Sequence, residues 1–276
     1  MRLTPCKLAS APSTSGSGTG PTPSAGRTTI RCFGRTITGR RRRNEDAFLL
    51  APELGVFAVL DGMGGYAGGD VASTIGAETI ANFYAAIAAD PEATWPYAVD
   101  LHRSLAQNRV DAAIRLANRR IRDRRDEQLG GMGSTVALLS VIGSKIVLGH
   151  LGDSRIYRLR NDELIQLTCD HSLYEQLRES GLELPPLSEF LHANVITRAL
   201  GPIEDERPEL AELELEPGDR FLLCTDGLSG VLEPSSIAAL LRVDACEQAC
   251  DALIDAAYAA GSRDNITAVV VDVGSR

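Results

Sequence analysis

The chain has 276 residues, 44% of them hydrophobic and 24% charged, with a formal net charge of −9, a length that suits one large domain with a well-buried core. Nine basic residues and no acidic one precede Glu45, so taking those nine charges from −9 leaves −18 on the rest, a balance that excludes general affinity for a nucleic-acid backbone. No apolar run reaches the 18 or more residues of a membrane span, and no apolar signal region follows the N-terminus, so a cytoplasmic protein is expected.

Residues 10–26 consist almost wholly of Ser, Thr, Gly, Pro and Ala, too little apolar surface to offset the entropy of ordering them. A disordered tail over residues 1–27 and one folded unit over residues 28–276 are expected. An acid-poor tail containing Ser and Arg also suits an organelle transit peptide, but the amphipathic helical pattern of such peptides is missing. Residues 28–38 are rich in β-formers, and the apolar runs 47–50 and 56–60 flank Pro52, Glu53 and Gly55, which predicts a strand and then a hairpin. Val71, Ile75, Thr79, Phe83 and Ile87 recur at four-residue steps, and Leu101, Leu105, Ile114, Ala117 and Ile121 mark a second helix, each with one apolar stripe. Gly143 and Ser144 turn between the runs 136–142 and 145–151, and Asn161 and Asp162 between 155–159 and 164–167, which predicts consecutive antiparallel hairpins. Gly181, Pro185 and Pro186 interrupt a partly helical surface excursion over 172–193. A buried strand at 221–224, helices at 234–242 and 245–260, and a last strand at 266–273 complete the pattern. Strands at both ends of the chain with a helical pair between them predict an α+β domain, a layered sandwich of two antiparallel β-sheets flanked by pairs of helices.

The six cysteines are scattered without the spacing of a disulfide module or a paired CxxC, and reduced, buried thiols are expected. Cys246 and Cys250 would share a helix face, but no nearby histidine completes a zinc set. The four histidines, at 102, 150, 171 and 192, form no zinc or nucleophile motif. Neither Cys169 nor Cys224 is followed by the glycine-and-arginine loop that a cysteine-based phosphatase needs.

The aspartates carry more. Asp61 ends the run 56–60, Asp226 follows 221–225, and Asp264 precedes 266–273, each beside a glycine or another small turn former. Any one of them alone is better explained by a turn. Together, carboxylates fixed at strand ends need a cation to relieve their repulsion, and Gly62 to Gly65 let backbone approach it; hard oxygen donors suit Mg²⁺ or Mn²⁺. Asn44, Glu45 and Asp46 stand just before a strand and just after Arg40 to Arg43. Beside a metal cluster, Glu45 and Asp46 would hold metal-bound waters and an arginine would clamp a phosphoryl group. Asp153, between Gly152 and Arg155, reads by itself as a carboxylate in a hairpin turn.

In chain order the motifs are Arg41 with Asn44, Glu45 and Asp46; Asp61 to Gly65; Gly133, Ser134 and Thr135; Gly152 to Arg155; Asp170, His171 and Ser172; Asn194 to Gly201; Thr225 to Leu228; and Asp264 to Thr267. Each is weak alone. As an ordered set over nearly all of the chain after the tail, they resemble the metal-dependent protein phosphatase family, also called protein phosphatase type 2C, and their form is similar to bacterial members. The resemblance implies hydrolysis of phosphoserine and phosphothreonine by water activated between two divalent cations, Mn²⁺ or Mg²⁺. It implies that Asp61 bridges the two metals, that the Gly62 carbonyl binds one, and that Asp226 and Asp264 bind the other. Arg41 would bind phosphate, Glu45 and Asp46 would contact metal through water, and Asp153 would help form a third, weaker metal site. Residues 172–193 correspond to a variable flap beside the cleft. The expected partners are phosphorylated proteins, a Ser/Thr kinase and its substrates, met by a monomer. Met63 stands where many eukaryotic relatives have histidine, a candidate leaving-group acid, and Tyr66 where bacterial relatives often have histidine. For His171, a structural hydrogen-bonding role is favoured over an acid role. The same fold could serve as a pseudophosphatase that binds phosphoproteins, but the intact trio of aspartates argues for catalysis.

Overall fold

In the computed structural model, residues 29–64, 68–125, 129 and 131–274 are described; the expected tail, together with Gly65 and Tyr66, lies outside them. The strands are β1 (Thr29–Ile37), β2 (Asp46–Ala51), β3 (Val56–Met63), β4 (Gly133–Ser134), β5 (Val136–Ile142), β6 (Lys145–Leu151), β7 (Arg155–Arg160), β8 (Glu163–Gln166), β9 (Glu209–Glu214), β10 (Arg220–Cys224) and β11 (Ile266–Gly274). The helices are α1 (Gly68–Ala89), α2 (Leu105–Arg124), α3 (Leu173–Glu179), the single turn α4 (Asp226–Ser229), α5 (Pro234–Leu241) and α6 (Cys246–Ala259).

Strand alternation builds the layers. In β3, Val56, Ala58 and Leu60 pack with α1 and α2, while Phe57 and Val59 face the other sheet. In β11, Ala268 and Val270 pack with the α5 and α6 side, while Val269, Val271 and Val273 meet the opposing strands. Strands buried on both faces read as continuous apolar runs, as 56–60 and 268–271 do. One sheet has the order β1-β11-β10-β7-β8 and the other β2-β3-β5-β6-β9, with β4 paired to β3; every pairing is antiparallel. The expected sandwich, with one helix pair per outer face, is what forms.

Several details differ from the sequence reading. Leu101 is 91% exposed and outside α2; Ser104 accepts from the Gln107 backbone N–H and starts the helix with a capping box, which overrides the apolar spacing. The buried face of α1 runs through Ala72, Gly76, Ala77, Ile80, Phe83 and Ile87, so small residues that let the helix approach Leu60 closely carry it rather than Val71 and Thr79. A Cβ at Gly76 would stand 2.5 Å from Leu60 Cδ2. β9 is a strand without a β-like sequence; Glu and Ala are depleted in strands, and pairing along β6 makes it one. The turn holding Asp153 is not a hairpin: it joins β6 in one sheet to β7 in the other. Asp61 lies inside β3 rather than at its end, because Gly62 and Met63 leave β5 and pair with β4. Cys246 and Cys250 do share a buried face of α6, and all five described cysteines are free.

Candidate active site

Five loop and strand ends meet at one end of the sandwich. Asp46 and Asp61 are register partners on β2 and β3. The Thr135 hydroxyl accepts the Asp61 N–H at 2.9 Å, the Thr135 N–H donates to Asp61 O at 2.8 Å, and the Ser134 hydroxyl donates to the same carbonyl at 3.1 Å. Thr135 Oγ1 also lies 2.7 Å from Ser154 Oγ, which ties Asp61 to the turn carrying Asp153. On the other sheet, Gly227 lies so close to Asn265 that a Cβ would stand 1.8 Å from Asn265 O; this contact brings Asp226 beside Asp264. Thr225 and Thr267 donate from that sheet to Asp46 Oδ2, at 2.9 and 2.5 Å.

The result is a cavity of about 370 Å³ lined by Arg41, Glu45, Asp61, Gly62, Asp153, Asp226 and Asp264, together with Met63, Gly64, Asn194, Ile196 and Asn265. Of the expected site residues only Asp46 is not on the lining; it sits behind, against Thr225 and Thr267. Arg41 Nη2 donates to Asp264 Oδ2 at 2.6 Å, a bond that keeps the guanidinium charged and aimed at the carboxylates. The Gly62 N–H donates to Glu45 O at 3.1 Å, and a Cβ at Gly69 would sit 2.7 Å from Gly62 O and 2.8 Å from Glu45 Oε1. Those two oxygens therefore converge.

This concentration of charge is unfavourable by itself. Burial, then repulsion from Asp46 and Asp226, pushes the Asp61 carboxyl well above the usual carboxylate range. Burial pushes Asp46 up to about 7 against the hydrogen bonds from Thr267 and Thr225. Burial, then repulsion from Asp226 and Asp170, does the same to Asp153. Burial and then Asp264 raise Asp226, and burial and then Asp70 raise Glu45. Asp46 Oδ1, Asp153 Oδ1 and Asp226 Oδ1 are buried with no hydrogen-bond partner among the described residues. Unpaired buried carboxylate oxygens in an all-oxygen set fit hard divalent cations such as Mg²⁺ or Mn²⁺.

Two residues that support the site, one on its lining and one behind it, had no role assigned from sequence. Asn265 donates from Nδ2 to Thr38 O (2.9 Å) and Arg43 O (2.8 Å) and accepts the Glu45 N–H at Oδ1 (2.9 Å), so one side chain staples both ends of the arginine loop to the cleft. Its place directly after Asp264 was the available signal. His150 is the other, buried with its ring stacked 4.6 Å from that of His171, its pKa held well below the usual value by burial and then by His171. His171 Nδ1 accepts the Gly152 N–H (3.0 Å), which leaves the proton on Nε2, 3.1 Å from Glu209 Oε2. His171 also donates its own N–H to Gly152 O at 2.8 Å, so it braces the Asp153 turn, the hydrogen-bonding role expected of it. Together His150, His171 and Glu209 have metal-ligand spacing, but they lie away from the cleft lining. The Arg198 guanidinium, 3.2 Å from His171 Nε2, puts positive charge where a cation would sit.

Fold and site define a class: an αββα sandwich with a carboxylate cluster and a facing arginine at the seam of its two sheets. The chain belongs to the protein phosphatase 2C family, whose model matches residues 34–266. It is 35% identical over 237 residues to the serine/threonine protein phosphatase PstP of Mycobacterium tuberculosis, covering 84% of this chain and 43% of PstP; the chain thus spans less than half the length of that relative. It is 31% identical over 249 residues to the serine/threonine phosphatase stp of Listeria monocytogenes, covering 86% of this chain and 94% of stp. Its fold superposes with a TM-score of 0.75 on the catalytic domain of PstP in complex with two manganese ions, at 32% identity over 90% of this chain and all of that one.

Proposed function

We propose that this protein is a Mn²⁺- or Mg²⁺-dependent phosphatase acting on phosphoserine and phosphothreonine in proteins. The observation that carries the reading is the cluster of buried carboxylates with unpaired oxygens, drawn from both sheets around one cavity that Arg41 faces. Asp61, the Gly62 carbonyl, Asp226 and Asp264 would hold two cations, with Asp153 at a third site and with Glu45 and Asp46 acting through water. When bound, such cations supply Lewis-acid neutralisation of the phosphoryl charge and acidify water at neutral pH. Arg41, fixed by Asp264, keeps its other donors for the phosphoryl oxygens. Asp46 holds the seam between the sheets through Thr225 and Thr267, and Gly62, on the cavity lining, lets the backbone of Gly69 and Glu45 approach where a Cβ would stand 2.0 Å from Gly69 O. Met63 lines the cavity and has no proton to give, so the leaving group is not protonated by this side chain.

In this reading residues 28–276 are the catalytic domain, residues 1–27 a tail and residues 172–193 a flap; Asn194 and Ile196 on the lining support the flap's place beside the substrate. The protein would act as a monomer opposing a Ser/Thr kinase on its substrates. Free cysteines support a cytoplasmic setting, and no helix among the described residues is long and apolar enough to cross a membrane. The intact carboxylate set weighs against a pseudophosphatase.

The test is phosphate release from a phosphothreonine peptide in Mn²⁺. Activity should disappear with EDTA and in Asp226→Asn. Turnover that survives both treatments would contradict the assignment.

A further inference from the structure

The loop between β1 and β2 carries Arg40, Arg41, Arg42 and Arg43, all exposed. It is held rigidly against the cleft by the three Asn265 hydrogen bonds and by Arg41 N–H to Thr38 O at 3.3 Å. Gly39 turns the chain there with φ +61°, and a Cβ on it would stand 2.2 Å from Asp264 O, so the loop presses directly on a residue of the site. The four arginines have different surroundings. Arg41 pairs with Asp264, and the Arg40 guanidinium lies over the Tyr258 ring, 5.6 Å from its centroid. The side chains of Arg42 and Arg43 make no ion pair or hydrogen bond among the described residues. They follow directly on Arg41, which lines the cavity, and Arg43 acts electrostatically on Glu45, another lining residue, on a body that otherwise carries −18 from Glu45 onward.

A body of that charge repels acidic ligands everywhere except where basic residues reverse the local potential, and charge focused at a cleft mouth selects ligands of opposite sign. Successive Cα atoms are about 3.8 Å apart, so Arg42 and Arg43 lie within about 8 Å of Arg41 along the chain, or two to three residues of an extended peptide at about 3.3 Å each. We infer that Arg42 and Arg43 form a subsite for acidic side chains within three positions of the phosphorylated residue, so that the substrates are phosphoprotein segments rich in Asp and Glu around the phosphosite. The subsite rests on the phosphatase reading for its placement beside the reacting phosphate. Both arginines face solvent and neither lines the cavity, so they discriminate among substrates without touching the reacting atoms.

The experiment compares two phosphothreonine peptides of equal length, one with Asp and Glu at the flanking positions and one with Ser and Gln, together with p-nitrophenyl phosphate, on the full chain in Mn²⁺. The wild type should favour the acidic peptide by about three- to tenfold in kcat/KM at low salt, the range for a few exposed ion pairs. That preference should collapse at about 0.5 M salt, where the screening length falls to a few ångströms. Arg42→Ser with Arg43→Ser should abolish it through KM, with turnover of p-nitrophenyl phosphate unchanged. Equal kcat/KM for the two peptides in the wild type, or a preference that persists in the double variant, overturns the subsite. Fluorescence anisotropy of both peptides on the same proteins reads it without turnover. An arginine-dependent preference in a chain that hydrolyses nothing keeps the subsite and sinks the phosphatase reading; binding of neither peptide overturns both. A single-stranded oligonucleotide of equal charge that binds as tightly as the acidic peptide also overturns the proposal, in favour of a general polyanion surface.

Discussion

Burial pushes the carboxyls of Asp46 and Asp153 up to about 7 in the folded chain, against an ordinary value near 4 when unfolded. The folded state therefore binds more protons than the unfolded state between about pH 4 and pH 7, and linkage makes stability fall as pH rises through that upper value. His150 has the opposite sign: its lowered pKa leaves stability intact above about 6.5 and removes it below. Between pH 6.5 and 8 the carboxylates dominate: His150 opposes them only near the lower end, where the unfolded imidazole is half protonated, and the buried thiols, raised by burial, act in the carboxylates' direction near the upper end. In EDTA, thermal unfolding should therefore occur at lower temperature at pH 8 than at pH 6.5, and Asp153→Asn should flatten the slope. With Mn²⁺ the order should reverse, since a cation competes with protons for the same oxygens and binds better as they leave. A melting temperature independent of pH in EDTA would show that these carboxyls titrate normally.

At the level of elements, the short β4 and the start of β5 do for Asp61 what a single side chain could not. Thr135 takes the Asp61 N–H, gives its own N–H to Asp61 O, and shares a hydroxyl hydrogen bond with Ser154. Thr135→Val keeps the shape but leaves the buried Asp61 N–H and Ser154 hydroxyl without that partner, a cost of about 1–3 kcal/mol for each group left unsatisfied. The melting temperature should fall accordingly. Phosphate release should fall by more than the loss of folded protein explains, because Asp61 and Asp153 lose their common tie; activity reduced only in proportion to folded protein would reduce Thr135 to a stability residue. The same network shows what a sequence can and cannot disclose. Asp61, Asp226 and Asp264 were legible as a set because each adjoins an apolar strand run beside a glycine or another turn former, although no one of them marks a site alone. The strands themselves were legible for the same reason, as both faces are buried and the runs are continuous. The role of Asn265 and the partner of His171, whose hydrogen-bonding role was expected, were not legible, since the residues they bond lie 220 or more and 19 residues away in the chain, and β9 was hidden because its pairing comes from β6 and not from its own composition.

On the scale of the whole molecule, the site is the seam of a sandwich: Asp46 and Asp61 come from one sheet, while Asp226 and Asp264 flank strands of the other. Apolar packing between the sheets, led by Phe57, Phe221 and Ile146, brings these carboxylates together, and their repulsion opposes it. A cation shared between the two sets would therefore hold the sheets together as well as prepare the site, and ligand linkage gives the size. At about 100 times the dissociation constant, a single bound ion stabilises by about 2.7 kcal/mol, which in a domain of this length corresponds to a rise of about 5–10 °C in Tm. Mn²⁺ should produce that rise in the wild type. Asp61→Asn and Asp264→Asn should each abolish most of it, although the two residues stand on different sheets. Phe221→Ala, which empties the layer between the sheets, should cost about 3–5 kcal/mol yet keep the Mn²⁺ increment, because packing and cation act on the same seam through different atoms. Calorimetry with and without Mn²⁺ on these four proteins decides it. If Asp61→Asn alone removed the increment while Asp264→Asn retained it, the cation would be held by one sheet, and the seam would be maintained by packing alone.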